Sequence, residues 1–539
     1  MKTINATDLN ELLGSPEGSW PVRKWALFDV REVGESQKGH ISTATFLPRR
    51  MIEYRLSELV SAPATPIILY DDGEGDIRAS CAAKTMADLG YTDVTCLAGG
   101  YAGWKQAGFE EVTGWNVPSK DFGEQVLVTS NVPYLNSNEL AGRLEAGENI
   151  GIFDVRTPGE FREASLPASV CAPSFEWALH TKDLNDNFDA IVIHCAGRTR
   201  SIIGAATASL LGLKNLWSLE NGTMGWVLSD HELASNQTRV LGAPSVESLS
   251  DSAERAQELA ESLGVKYMSP KELKTRLDDR SRNSLYIFDA RDGDGYQQQH
   301  ISSSIWLPGG QACQRTDDFA AVPGSPIVFV DDDDARALVT AYWFLRMGFP
   351  DVSILKGGIK AWQDEGYIVK TGRDRPEPLG LEDAKARSVA LDCADLQKAV
   401  GSENPPVVID VGASKRVAAC HIQDAKWIPR GYLEAQIGKI ADKSKPVAVT
   451  AWEPQQAAFA AAALADAGYQ HVTWLAAPGK EWKEALPTTT GLPEDATEVA
   501  DTLAIPYRES KERMLEYLEW EEELGKKHMS SAAKQETVK

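Results

Sequence analysis

The chain has 539 residues and a formal net charge of -23. That length exceeds what one hydrophobic core organises and points to several domains; the acidic balance excludes nucleic acid as a partner, because phosphate binding needs a basic face. No run is apolar for long enough to span a bilayer and the polar start MKTINATDLNELLG lacks a signal-like stretch, so no membrane partner is expected and the cytoplasm is the expected compartment.

Four segments carry the same marks in the same order. In the first, an apolar strand ends at FDVR (Asp29, Arg31), a turn reads Gly39-His40-Ile41, an acidic loop covers 71–76, a helix is predicted over 78–89, and LAGGYAGW closes the segment at Trp104. In the second, strands are predicted over 150–155, 169–172, 190–194 and 215–219. Asp154 and Arg156 end the first of these, the turn has become Ala164-Ser165-Leu166-Pro167, and a helix rich in small residues over 202–213 precedes LENGTMGW at Trp226. The third carries Asp289 and Arg291, Gln299-His300-Ile301, four aspartates over 331–334, a helix over 336–347 and Trp362; the fourth carries Asp410 and Gly412, Cys420-His421-Ile422, a helix over 456–467 and Trp482.

The tryptophans recur at intervals of 122, 136 and 120 residues. The long interval holds a linker rich in Ser, Glu and Ala, with a short helix over 251–263, which divides the chain into two consecutive pairs of domains. The expected boundaries are 1–125, 126–240, 241–263 for the linker, 264–378, 379–490 and 491–539. The last of these holds an amphipathic helix over 506–527, expected to pack on the fourth domain or to make a homo-oligomer contact with a second copy of the chain. Residues 530–539 are expected to be disordered. Strands alternating with helices imply an α/β fold with parallel strands joined by helical crossovers.

The second segment alone has a cysteine directly after its buried strand, in the run Cys195-Ala196-Gly197-Arg198-Thr199-Arg200-Ser201. Unpaired N–H groups converge where a strand feeds a helix, and they favour an anion there. The helix dipole and two arginines favour a thiolate, which is both nucleophile and leaving group. The corresponding loops of the other segments offer aspartates (71–76 and 331–334) or no anion (451–456), and carboxylates at a helix start satisfy the same donors. A metal site over 331–334 is disfavoured, because the spaced ligands of a calcium loop are missing.

Together, the Asp-x-Arg strand end, the histidine turn, the cysteine loop and the Gly-rich turn into tryptophan resemble the rhodanese family of sulfurtransferases. The resemblance implies four tandem rhodanese-like domains, each a central parallel sheet of about five strands flanked by helices, with a C-terminal helix appended. It implies a persulfide on Cys195, the sole matching nucleophile, formed from a small anionic donor such as thiosulfate and passed to cyanide or a thiol. It places Arg198 and Arg200 on the donor's charged end, the N–H groups of the loop around the sulfur, and Ala196, Gly197, Thr199 and Ser201 in contact with substrate. Asp154 and Arg156 would brace the loop, and no metal or organic cofactor is required. Four residues separate Cys195 from Arg200, as in sulfur-carrying rhodaneses, whereas phosphatases and arsenate reductases of this fold have five. A non-catalytic scaffold for partner proteins and phosphate-ester or arsenate chemistry are the alternatives.

Other conspicuous residues read as structural. His194 points to the face opposite Cys195 and is expected to be a hydrogen-bonded strand-end histidine. The turn histidines tie loops, Glu160 is without a clear role, and Trp226 packs. Domain 1 is the candidate wall of the active pocket. Cys81, Cys96, Cys171 and Cys393 read as core residues, and Cys313 and Cys420 as loop residues open to exposure.

Overall fold

A computed structural model describes residues 1–373, 376–494, 496, 500–505 and 508–536. It contains four five-stranded sheets in which every strand pair is parallel, one in each expected domain. In the second domain the order is Val170–Cys171, Ile150–Asp154, Ala190–His194, Leu216–Leu219 and Tyr134–Leu135. All five residues of Ala190–His194 are buried, as a central parallel strand covered by helices on both faces requires, which is why it reads as an unbroken apolar run. Among the described residues no helix is long and apolar enough to cross a membrane.

The pairing of domains is nested rather than consecutive. One compact unit joins the first and fourth domains; the other joins the second and third, together with residues 20–23 and the C-terminal helix. The expected split into a front pair and a back pair is thereby corrected, and the reason lies in the linker. Its helix, Val246–Glu261, is longer than predicted and buries a stripe of small residues, Ser248, Ser252, Ala256 and Ala260. That stripe lies against Thr181–Asn187 of the second domain and Ala335–Arg346 of the third, and Ser252 Oγ meets Thr181 Oγ1 at 2.7 Å. The linker therefore ties two domains together instead of separating two pairs.

The same unit is fastened from the third domain's helix Ala335–Arg346. Trp343 is 1% exposed, donates from Nε1 to Thr207 Oγ1 at 2.7 Å and meets the edge of Phe122. Arg336 pairs with Glu176 at 3.0 Å. Within this unit the third domain thus packs beside the second.

A helix over Val117–Thr129 precedes the second domain and crosses the boundary expected at 125/126. The C-terminal helix, Lys511–Glu536, lies along it rather than on the fourth domain, and runs well past the predicted end at 527. Residues 530–536, expected to be disordered, are helical, and 537–539 lie outside the described residues.

Trp343→Ala is expected to destabilise the second and third domains together by about 3–5 kcal/mol, the usual cost of emptying a buried tryptophan site. Urea denaturation checks this; loss of the third domain's signal alone would contradict the shared core.

Candidate active site

Sheet register fixes which residues are equivalent. Asp29 pairs with Tyr70, Asp154 with His194, Asp289 with Val330 and Asp410 with Thr450. The next residue in each case is therefore the same point of the fold: Asp71, Cys195, Asp331 and Ala451. In domain 1 the Asp71 carboxylate accepts N–H groups of Ala79 at 2.9 Å and Gly73 at 3.2 Å. In domain 3 the Asp331 carboxylate accepts those of Asp332, Arg336 and Ala337 at 2.9–3.2 Å, and the Arg336 guanidinium at 2.6 Å. Both carboxylates are held at the start of a helix by donors that its geometry leaves unpaired. The second domain puts sulfur at this point.

Cys195 is 2% exposed and its thiol donates to Ser201 Oγ at 3.5 Å, while Ser201 donates to the Arg198 carbonyl at 2.9 Å. The hydrogen bond made by the sulfur is thus with Ser201, not with the N–H groups expected to cradle it. The loop is pinned from behind by the Gly-rich turn. Thr223 N–H donates to the Cys195 carbonyl at 2.9 Å and Met224 N–H to the Ala196 carbonyl at 3.0 Å. Gly222 has φ +53, and a Cβ there would stand 2.2 Å from the Cys195 carbonyl oxygen, so only glycine permits the approach. Trp226 donates to the Glu232 carbonyl, as Trp104 does to Glu110 and Trp362 to Ile368, a closing role shared by domains with and without the loop cysteine.

Both loop arginines are already engaged. Arg198 makes a two-pronged pair with Glu124 at 2.7 and 2.7 Å and also donates to Asn221 at 3.2 Å and Glu522 at 3.1 Å. Arg200 makes a two-pronged pair with Glu160 at 2.9 and 3.0 Å. Carboxylates thus hold both of the guanidiniums expected to bind the donor's charged end. Glu160 gains a clear position, capping the helix Pro158–Glu163 through Thr157 while holding Arg200. Glu124 was not legible, since nothing in the sequence places the helix Val117–Thr129 over a loop some 70 residues on.

Thr199 is buried, beside Gly123 of that helix. Asp154 and Arg156 form a buried pair at 2.7 Å, and Arg156 also donates to the Ala164 carbonyl. Asp29–Arg31 and Asp289–Arg291 repeat the arrangement, which marks it as support of the fold. In the fourth domain glycine replaces the arginine, and burial pushes the Asp410 carboxyl up to about 7. The turn histidines His40, His300 and His421 each bond through Nδ1 to a carbonyl four residues back; in domain 2, Ser165 bonds instead to Asp154 at 2.5 Å.

His194 is fully buried and, as expected of a strand-end histidine, hydrogen-bonded: its Nδ1 lies 3.4 Å from the Cys195 carbonyl oxygen, while Nε2 makes no hydrogen bond among the described residues. Burial holds its pKa below the usual value, with Asp154 3.9 Å away. Cys313 and Cys420 are buried rather than exposed. A cavity of about 130 Å³ opens beside the loop, lined by Arg156, Glu160, Thr223, Met224, Arg508 and Met514 among others.

The family model for the Rhodanese-like domain matches residues 6–107, 136–229, 269–365 and 392–485. The thiosulfate sulfurtransferase of Pseudomonas aeruginosa, a solved structure, is 32% identical, with a TM-score of 0.85 and 98% of each chain covered. Two Bacillus subtilis proteins match more locally: YrkF, whose name proposes a sulfur-carrier role, at 29% identity over 97 residues, and the uncharacterized YqhL at 34% over 82 residues. These alignments take in 18% and 15% of the chain, and 52% and 62% of the two proteins.

Burial alone would raise the Glu160 carboxyl, but Arg200, then Arg156 and the Thr157 N–H, outweigh it and hold it well below its ordinary value. A carboxyl whose pKa is lower folded than unfolded stabilises the fold above about pH 4.3 and loses that contribution as pH falls toward the folded value. Glu160→Gln is therefore expected to cost about 1.5–3 kcal/mol at pH 7, with the two stability curves converging in acid. Urea titrations from neutral pH down to acid check it; curves that stay parallel would contradict it.

Proposed function

Since the chain belongs to the rhodanese-like domain family and is of sulfurtransferase type, we propose that it moves a sulfane sulfur from thiosulfate through a persulfide on Cys195 to a thiophilic acceptor, cyanide or a small thiol. The observation that carries the reading is the register equivalence. A position where two other domains hold a carboxylate with helix N–H donors holds a cysteine in the second, and an anion-holding position with a sulfur in it is suited to a thiolate and to the persulfide anion that follows.

In the proposed reaction the Cys195 thiolate attacks the outer sulfur of thiosulfate. A sulfur–sulfur bond forms on Sγ, the bond to the sulfonate sulfur breaks, and sulfite leaves with the electron pair. Cyanide then attacks the outer sulfur of the persulfide, thiocyanate departs, and the electron pair returns to Sγ as the thiolate. The loop N–H groups, which do not bond the resting thiol, are in this reading the donors that take up the charge on sulfur in both steps. Arg198 and Arg200 lend positive potential to the mouth, and Ser201, the partner of the resting thiol, accepts its proton only as a hydrogen bond. Ala196, Gly197 and Thr199 shape the cradle. The loop length supports sulfur over a tetrahedral phosphate, which needs a wider ring.

The test is turnover of thiosulfate and cyanide by the purified chain. Thiocyanate and sulfite are expected in equal amounts, with Cys195→Ser lowering the rate by at least about a thousandfold. Turnover of an aryl phosphate or arsenate, with none of thiosulfate, would overturn the reading.

A further inference from the structure

We propose that the C-terminal helix is an internal plug for the Cys195 loop, whose carboxylates Glu521 and Glu522 stand in for the anionic donor and must be displaced before the donor can bind. This rests on the reading of Cys195 as the sulfur-carrying residue.

The helix Lys511–Glu536 runs along Val117–Thr129 and touches Gly222–Leu228, the two elements that flank the cysteine loop. Its covering residues, Leu518 and Glu521, are 4% and 2% exposed. At the mouth of the loop, a Cβ built on Gly197 would stand 3.1 Å from Glu521 Oε2 and 3.8 Å from Leu518 Cδ2. Glu522 is 3.1 Å from Arg198 Nη1. One turn of helix thus delivers an apolar stopper and two carboxylates to a loop built to hold an anion.

The carboxylate of Glu521 is poorly satisfied for a buried group. Tyr517 donates to Oε1 at 2.9 Å, while Oε2, the atom over Gly197, has no hydrogen-bond partner among the described residues. Burial raises the pKa of this carboxyl, and the buried ammonium of Lys120, held under the rings of Tyr517 and Trp520 at 4.9 and 4.7 Å, opposes that rise. A buried carboxylate oxygen without a donor is costly to keep, so the closed state gains little from Glu521 and releases it readily.

The remaining anchors suit a detachable element. Lys511–Asp230 is an ion pair between exposed residues and Arg508–Glu163 another, and exposed pairs of this kind contribute little; His528 meets Asp121 at 2.9 Å in a half-buried contact. The helix packs closely at Gly525, where a Cβ would stand 3.0 Å from Glu124 Oε2. Glu124 also grips Arg198, so helix contact and arginine position share one carboxylate. When the helix leaves, two negative charges leave the mouth, Arg198 keeps Glu124 but loses Glu522, and the sulfur is uncovered. A small dianion that was repelled is then attracted, and donor binding and helix release become linked equilibria.

Two full-length variants separate charge from cover. Gly525→Trp keeps both carboxylates and forces the helix off its seat; Glu521→Gln/Glu522→Gln keeps the cover and removes the charge. With alkylation read by mass at the Cys195 peptide, Gly525→Trp is expected to raise the rate with neutral iodoacetamide at least about tenfold. The double variant is expected to raise the rate with anionic iodoacetate by a similar factor, changing the iodoacetamide rate by less than about threefold, and to lower the KM for thiosulfate. Unchanged Cys195 alkylation in the double variant with both reagents overturns the plug, even if Gly525→Trp fails to fold. A Cys195 uncovered as expected but inert to thiosulfate would sink the donor assignment and leave the plug standing.

Discussion

Everything about the second domain follows from the unpaired N–H groups at the point where a parallel strand turns into a helix. Those donors need a partner, and the four domains meet the need differently. Asp71 and Asp331 fold back on their own helices and accept the N–H groups themselves. Ala451 offers no anion at all. Cys195 takes none of them, its thiol donating instead to Ser201. The degenerate domains are therefore controls inside the molecule, because they show what the same backbone does when a fixed carboxylate takes the place of the sulfur.

Positive charge around the site is balanced before any substrate arrives. Glu124 and Glu522 hold Arg198 and Glu160 holds Arg200, so the guanidiniums are rigid and oriented rather than free. A paired arginine costs less to bury than a lone one, which explains how both sit in a loop that closes over a buried sulfur. The consequence is that affinity for an anion depends on which carboxylates can move. Glu124 and Glu160 lie on helices packed into the second domain and are largely buried, whereas Glu522 is half exposed on the helix Lys511–Glu536.

Much of this was legible in the sequence, because the repeat supplied its own alignment. The four Asp-containing strand ends, the Gly-rich turns and the one cysteine that follows a buried central strand gave the sheets, the closing tryptophans and the point of the fold where Cys195 sits. The nested pairing was not legible, since it depends on the small-residue stripe of Val246–Glu261 finding two helices at once, and a Ser/Ala-rich segment reads equally well as a linker. Nor was the pairing of Arg198: its partners Glu124 and Glu522 are 74 and 324 residues away. His194 was read rightly as a hydrogen-bonded strand-end histidine, its Nδ1 meeting the Cys195 carbonyl, though strand alternation could not say that Nε2 would be left without a partner among the described residues.

The most direct measurement is the intact mass of the chain after incubation with thiosulfate and removal of excess donor, taken beside Cys195→Ser. A gain of one sulfur atom on the wild type, absent from the variant, is the predicted result. A wild type that gains no sulfur, or a variant that still gains it, would contradict the claim that Cys195 turns this anion cradle into a sulfur carrier.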